Sequence, residues 1–220
     1  MASKSEIKRQ KIIDSAVMLF RSQGYATVRL SDIAKAAGTQ SGAMYYYFDS
    51  KEELVEEVLR TTLTRITAHM KAVMDGIPEA AGPRQRLRAA IRGHLDFMLG
   101  GSDYGVAMMR ILDQVPRKIR NRLHPQTSGW ADVWRRIFDD LLSRAELKKG
   151  LEASVVRNAL LGSLVWSTEW YVPGKLSIDR IADQIANVYF DGMISKARPA
   201  RRLQERAPSR LRNSRSLLAP

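Results

Sequence analysis

The stretch Arg29-Leu30-Ser31-Asp32-Ile33-Ala34-Lys35-Ala36-Ala37-Gly38-Thr39-Gln40-Ser41-Gly42-Ala43-Met44-Tyr45-Tyr46-Tyr47-Phe48 decides how this chain is read. Leu30, Ile33, Ala34 and Ala37 fall on one helical face over Arg29–Ala37, the spacing of a short buried helix. Gly38 breaks that helix, and a second is expected over Gln40–Tyr47, with Met44 and Phe48 one turn apart to anchor it from below. Two short helices joined at a glycine form the helix-turn-helix pattern. The opposite face of the second helix shows Gln40, Ser41, Gly42, Tyr45 and Tyr46, small and polar at first and aromatic later. A slim leading end enters the DNA major groove, and such side chains hydrogen-bond base edges or touch a thymine methyl. Lys51, just beyond, can grip a phosphate.

Outward from this stretch nearly everything reads as helix. Upstream, Ile12, Ala16, Leu19 and Phe20 make one apolar stripe over Ser5–Gln23, and Gly24 stands where a helix C-terminal cap belongs. Downstream, Ser50 and Glu53 have capping-box spacing. They open a long helix with Leu54, Val55, Val58, Leu59 and Ile66 on one side. Gly76, Pro78, Gly82 and Pro83 mark a break. Five helices are expected beyond it, at about 83–99, 104–115, 127–147, 152–171 and 177–195. β-branched residues never alternate for long, and no Asn-Gly or Asp-Gly hairpin signal appears. The expected fold is all-α: an N-terminal three-helix helix-turn-helix domain over 1–51, a C-terminal helical bundle for ligand binding and dimerisation over 52–195, and a basic, disordered tail over 196–220.

Composition narrows the chemistry. The 220 residues include no cysteine, which removes disulfides, thiolate metal sites and cysteine nucleophiles together. His69, His94 and His124 lie far apart and lack metal-ligand spacing. No apolar run approaches the roughly 18 residues of a membrane span, and the charged N-terminus has no apolar segment behind it, so a cytoplasmic location is expected. The net charge of +13 favours a polyanionic partner. More than half of that excess lies in the Arg-, Pro- and Ser-rich residues 196–220, so charge alone argues only weakly for specific DNA binding.

The residues from Ile12 to Leu59 closely resemble the signature of the TetR family of transcriptional regulators. Gly24-Tyr25, Leu30-Ser31-Asp32-Ile33-Ala34 through Gly38, and Ser41-Gly42-Ala43-Met44-Tyr45-Tyr46-Tyr47-Phe48 followed by Ser50-Lys51-Glu52-Glu53-Leu54 carry the likeness. The resemblance implies that Gln40, Ser41 and Gly42 face base edges, and that Tyr45 lies near base methyls and backbone. It implies backbone contacts for Tyr46 and Tyr47, a phosphate contact for Lys51, and phosphate or base contacts for Arg29 and Ser31. Two positions depart from the family pattern: Ser41 stands where lysine is common, and Gln40 where a capping serine is common, which leaves Thr39 as the candidate cap. Tyr47 reads equally well as a packing residue.

The larger helical half has no Gly-rich phosphate loop, no His-Glu-x-x-His and no Gly-x-Ser-x-Gly, so neither an enzyme nor a cofactor is expected. It has large apolar side chains instead. Phe97, Met98, Met108, Met109, Trp130, Trp134, Trp166 and Trp170 are either plain core or the lining of a pocket for an apolar or amphipathic small molecule. Arg110 and Glu169 read as polar groups embedded in apolar surroundings, which either orient the polar part of such a ligand or snorkel to water. The resemblance favours the pocket, and Trp170-Tyr171-x-Pro173-Gly174 is similar to a segment of family members that sense acyl-CoA thioesters. Leu160, Leu161 and Leu164, with Ile181, Ile185 and Tyr189, suit either intramolecular burial or a homodimer face, and the resemblance implies the dimer. The reading is thus a homodimeric repressor on a palindromic DNA operator, released by a small-molecule effector. The main rival is a charge-driven, non-specific nucleic-acid binder; a membrane-surface role for the tail is weaker, because the tail lacks an apolar face.

Overall fold

The computed structural model describes residues 3–195. The expected basic tail, 196–220, lies outside the described residues. Among the described residues ten helices follow in order: α1 (Lys4–Gln23), α2 (Leu30–Ala36), α3 (Ser41–Met44), α4 (Lys51–Asp75), α5 (Pro83–Leu99), α6 (Asp103–Leu112), α7 (Arg117–Arg122), α8 (His124–Arg144), α9 (Ala153–Trp170) and α10 (Ile178–Met193). The all-α expectation holds among the described residues. A single antiparallel bridge, Leu147 to Ile194, pins the end of α10 to the loop before α9.

Local chemistry sets most helix ends. Ser3 opens α1 by accepting from the Glu6 N–H while the Glu6 carboxylate accepts from the Ser3 N–H, a reciprocal cap. Ser50 accepts from the Glu53 N–H and opens α4. Gly38, at φ 62°, makes the turn between α2 and α3 in a conformation that L side chains avoid.

Three expectations need correcting. The second helix of the helix-turn-helix is regular only over Ser41–Met44 and continues as a turn through Tyr47. The Tyr47 and Phe48 N–H groups both donate to the Met44 carbonyl at 2.9 Å, which folds the aromatic run back onto the core. Thr39 is not the cap: Gln40 occupies that position, and no side chain caps the helix. The bundle beyond α4 also has six helices, since α7 was not foreseen. Among the residues of α7 only Ile119 is buried in a run of cations, so no periodicity announces it.

Two apolar cores organise the molecule. The first gathers Ile12, Ile13, Ala16, Phe20, Ile33, Ala34, Met44, Phe48 and Leu54 with Tyr104, Ala107 and Ile111 of α6. The second lies between α4, α5, α8, α9 and α10, around Ile66, Met70, Ile91, Trp134, Phe138, Leu160 and Leu164. α6 therefore packs its inner face into the core of the helix-turn-helix unit. Along the second core, Arg84, Arg88 and Arg92 of α5 face Asp191, Asp183 and Asp179 of α10 as a ladder of ion pairs. These are exposed pairs, screened by solvent and worth little in stability; their effect is to fix the register of two helices that already bury Ile91, Ile181 and Ala182.

Candidate DNA-reading face and effector cavity

The reading face is built from residues the core leaves over. Met44 and Phe48 are fully buried, so the opposite side of α3 and its turn must face outward. Gln40, Ser41, Gly42 and Ala43 are exposed, as are Arg29 and Ser31 at the start of α2. Tyr45 is 61% and Tyr46 78% exposed. No packing reason explains two adjacent tyrosines so open to water. Tyr47 is half-buried against the first core and meets the Tyr46 ring edge-on at 4.9 Å; it supports the exposed ring. Thr39 is half-buried. Lys51 lies over the Tyr25 ring at 4.3 Å and donates to the Ala26 carbonyl at 3.4 Å. Partial burial lowers the pKa of its ammonium from the usual lysine value.

Sequence reading overlooked the cations of α1. Lys8 donates to the Gly38 carbonyl at 3.0 Å, and Lys11 reaches the same turn. Lys4, Lys8 and Lys11 recur at i, i+4, i+7, a helical stripe visible in the sequence once a cationic rather than an apolar face is sought.

The second site is a cavity of about 340 Å³ enclosed by α4, α5, α6, α7, α8 and α9. Leu59, Leu63 and Ile66 line one side, Met108, Met109 and Leu112 of α6 another, and His94, Met98 and Trp130 a third. A wider opening of about 750 Å³ shares Met98 and Met109 with it. That opening, unlike the cavity, also carries several polar side chains: Arg21 of α1, Arg110, Thr168 and Glu169. Of the expected ligand residues, Met98, Met108, Met109 and Trp130 therefore meet in the apolar cavity, and Arg110 and Glu169 at the wider opening. Trp134 is fully buried in the second core behind His94, and Phe97 packs beside His69. Trp166 and Trp170 line neither space; they are 65% and 44% exposed on the outer side of α9. Arg110 and Glu169 are exposed too, rather than embedded in apolar surroundings.

The expected dimer residues also divide. Leu160, Leu164 and Ile181 are buried within the protomer, while Leu161, Ile185 and Tyr189 are half-buried, with Tyr189 hydroxyl-bonded to Ser163 at 2.5 Å. The apolar groups left outside are Val155, Val165, Trp166 and Trp170 on α9 and Val188 on α10.

His94 stands out electrostatically. It is 1% exposed. Burial, and secondarily the nearby His69, push its pKa down from 6.5 to about 4. An unfolded chain would protonate this histidine near pH 6.5, whereas the folded one stays neutral down to about 4. The unfolded state then binds the extra proton in that window, so stability is complete above about 6.5 and declines as the pH falls toward 4. The loss should approach about 3 kcal/mol at most. Denaturant unfolding at pH 7 and pH 4.5 should show it, and His94→Leu should flatten the dependence.

Sequence comparison gives this geometry its kin. Residues 12–58 match the family described as bacterial regulatory proteins, tetR family. Residues 80–193 match the tetracyclin repressor-like C-terminal domain.

The chain belongs to the TetR family.

Membership makes it a DNA-binding transcriptional regulator with an N-terminal helix-turn-helix and a helical C-terminal domain. This TetR-family chain is 24% identical, over 193 residues, to the HTH-type transcriptional repressor KstR2 of Rhodococcus jostii, with 86% of this chain and 92% of the relative aligned. Its fold matches that of the regulator FadR from Bacillus subtilis in complex with stearoyl-CoA, at TM-score 0.72 and 22% identity, covering 83% of this chain and 98% of that one. It also matches AibR in complex with isovaleryl coenzyme A and operator DNA, at TM-score 0.70 and 21% identity, covering 82% and 97% respectively. Among the described residues no helix is long and apolar enough to cross a membrane.

Proposed function

We propose that this protein is a cytoplasmic homodimeric repressor that binds a palindromic operator through Gln40–Tyr46 and is released by an acyl thioester. The observation that carries the effector reading is the pairing of two spaces. A mostly apolar cavity of about 340 Å³ adjoins, across Met98 and Met109, a wider opening that carries Arg21, Arg110 and Glu169. A molecule with a hydrocarbon tail and a large polar, anionic head matches that division: the tail among Leu63, Ile66 and Met108, the head beside Arg21 and Arg110. The acyl-CoA complexes of the two structural neighbours support the same class. The chain acts by binding rather than by catalysis.

On DNA, Gln40, Ser41 and Gly42 meet base edges, and Tyr45 and Tyr46 the adjoining sugars, methyls and phosphates. Arg29, Ser31, Lys8, Lys11 and Lys51 add phosphate contacts, which position without reading sequence. A second protomer joins through the outer faces of α9 and α10, where Val155, Trp166 and Val188 remain exposed. The two α3 segments then reach successive major grooves.

α6 couples the sites. One side lines the cavity with Met108, Met109 and Leu112. The other holds the reader: Asp103 pairs with Arg21, the Tyr104 hydroxyl donates to Asp14 at 2.6 Å, and Arg110 donates to the Arg21 carbonyl at 3.1 Å. Gln114, just past α6, accepts from the Tyr25 and Ala26 N–H groups at 3.0 and 3.3 Å. A ligand that displaces α6 therefore moves α1 and the reading face. The test is operator release by an acyl-CoA series of increasing chain length. Release by about ten- to a hundredfold with at least one chain length is expected; no release and no thermal shift with any member would remove the acyl thioester from the account.

A further inference from the structure

The lining of the apolar cavity contains polar groups that the protein does not satisfy. Neither ring nitrogen of His94 has a hydrogen-bond partner, and neither does Trp130 Nε1, although all three atoms are shut away from water. The two rings lie 6.0 Å apart, centre to centre, and both line the cavity. Trp134 packs edge-on against the far side of His94 at 5.8 Å and fixes the imidazole in place. Buried polar groups are bonded in the great majority of cases, and leaving one unpaired costs more than a typical bond returns. Three orphaned atoms on two residues that line a mostly apolar space, whose lining also includes Asp113, Arg120 and Thr127, therefore ask for a partner that arrives with the ligand.

We propose that His94 and Trp130 form a polar anchor that donates hydrogen bonds to a neutral carbonyl oxygen of the effector, as carried by a thioester. Trp130 Nε1–H is a donor only, and a neutral imidazole supplies one donor and one acceptor. Burial holds His94 in that neutral form at physiological pH. These two side chains thus offer dipoles and no formal charge, which suits an uncharged carbonyl oxygen; the charged groups of the lining are Asp113 and Arg120. The acyl chain beyond that oxygen rests on Ile66, Met98 and Met108. The anchor lets the cavity reject a ligand of the same shape that lacks the oxygen, because such a ligand would leave both N–H donors unpaired.

The inference rests on the acyl thioester reading, and the experiment separates the two. The probes are decanoyl-CoA and S-decyl-CoA, its thioether counterpart without the carbonyl oxygen. Affinities are measured by calorimetry on the full chain and on His94→Leu, His94→Gln and Trp130→Phe, each checked for intact fold by circular dichroism. The wild type should prefer the thioester by about tenfold. His94→Leu should abolish most of that preference while S-decyl-CoA binds as well or better, and His94→Gln, which keeps a donor and an acceptor, should retain part of it. Equal binding of both probes by the wild type, or an unchanged preference in both His94→Leu and Trp130→Phe, overturns the anchor and leaves the thioester reading standing. Binding of neither probe, nor of any other acyl-CoA in the chain-length series, overturns the thioester reading and the anchor with it.

Discussion

Replacing Tyr45 and Tyr46 together by alanine should lower operator affinity by on the order of a hundredfold while the fold persists. The asymmetry follows from where the rings sit. Both are largely exposed, and the anchoring of α3 falls instead to Met44 and Phe48, which are fully buried. Truncating the two tyrosines removes the edge contact between Tyr46 and Tyr47 and little else from the protomer. Thermal unfolding should therefore register a loss of about 1 kcal/mol or less. Fluorescence anisotropy on an operator duplex reads the affinity. Full affinity in the double variant would place the DNA-reading surface elsewhere.

The second large effect concerns the link between sites. Tyr104→Phe combined with Asp103→Ala and Gln114→Ala should leave operator binding near the wild-type level but reduce effector-driven release from about ten- to a hundredfold to about twofold or less. Each of these side chains joins α6 or its end to α1 or the loop after it. Loss of the Tyr104 hydroxyl is tolerable locally, because Gln10 already donates to Asp14 at 2.9 Å. The cavity itself is untouched, since none of the three residues lines it. Ligand affinity without DNA should accordingly stay the same, and only its effect on DNA should fall. Retained release in the triple variant would mean that the signal passes through α4, which also touches both sites.

The reader was legible in the sequence because its determinants are local. Leu30, Ile33, Met44 and Phe48 have helical spacing, and Gly38 interrupts them at the one place a turn is needed. What misled was the length of the second helix: Tyr45–Tyr47 continue its pattern, yet the chain turns there to bury Phe48. The cavity was half legible. Met and Trp marked the right helices, but apolar side chains alone do not say which way they face, and Trp166 and Trp170 face outward. His94 gave no signal, since a single histidine in an amphipathic helix reads as ordinary until the surrounding tryptophans are placed. The dimer face was obscured for a related reason. α9 is apolar on several sides, so Leu160 and Leu164 could serve either role; packing buries them within the protomer and leaves Val155, Val165 and Trp166 exposed.

The central claim, a sequence-specific dimer reading DNA through Gln40–Tyr46, is tested most directly by selecting bound sequences from a random duplex pool at near-physiological salt. The account predicts recovery of one palindromic motif whose half-sites lie about one helical turn, or slightly more, apart, and loss of that motif in the Tyr45, Tyr46 double variant. Recovery of no motif, with binding that vanishes on modest added salt, would contradict it and identify a charge-driven binder instead.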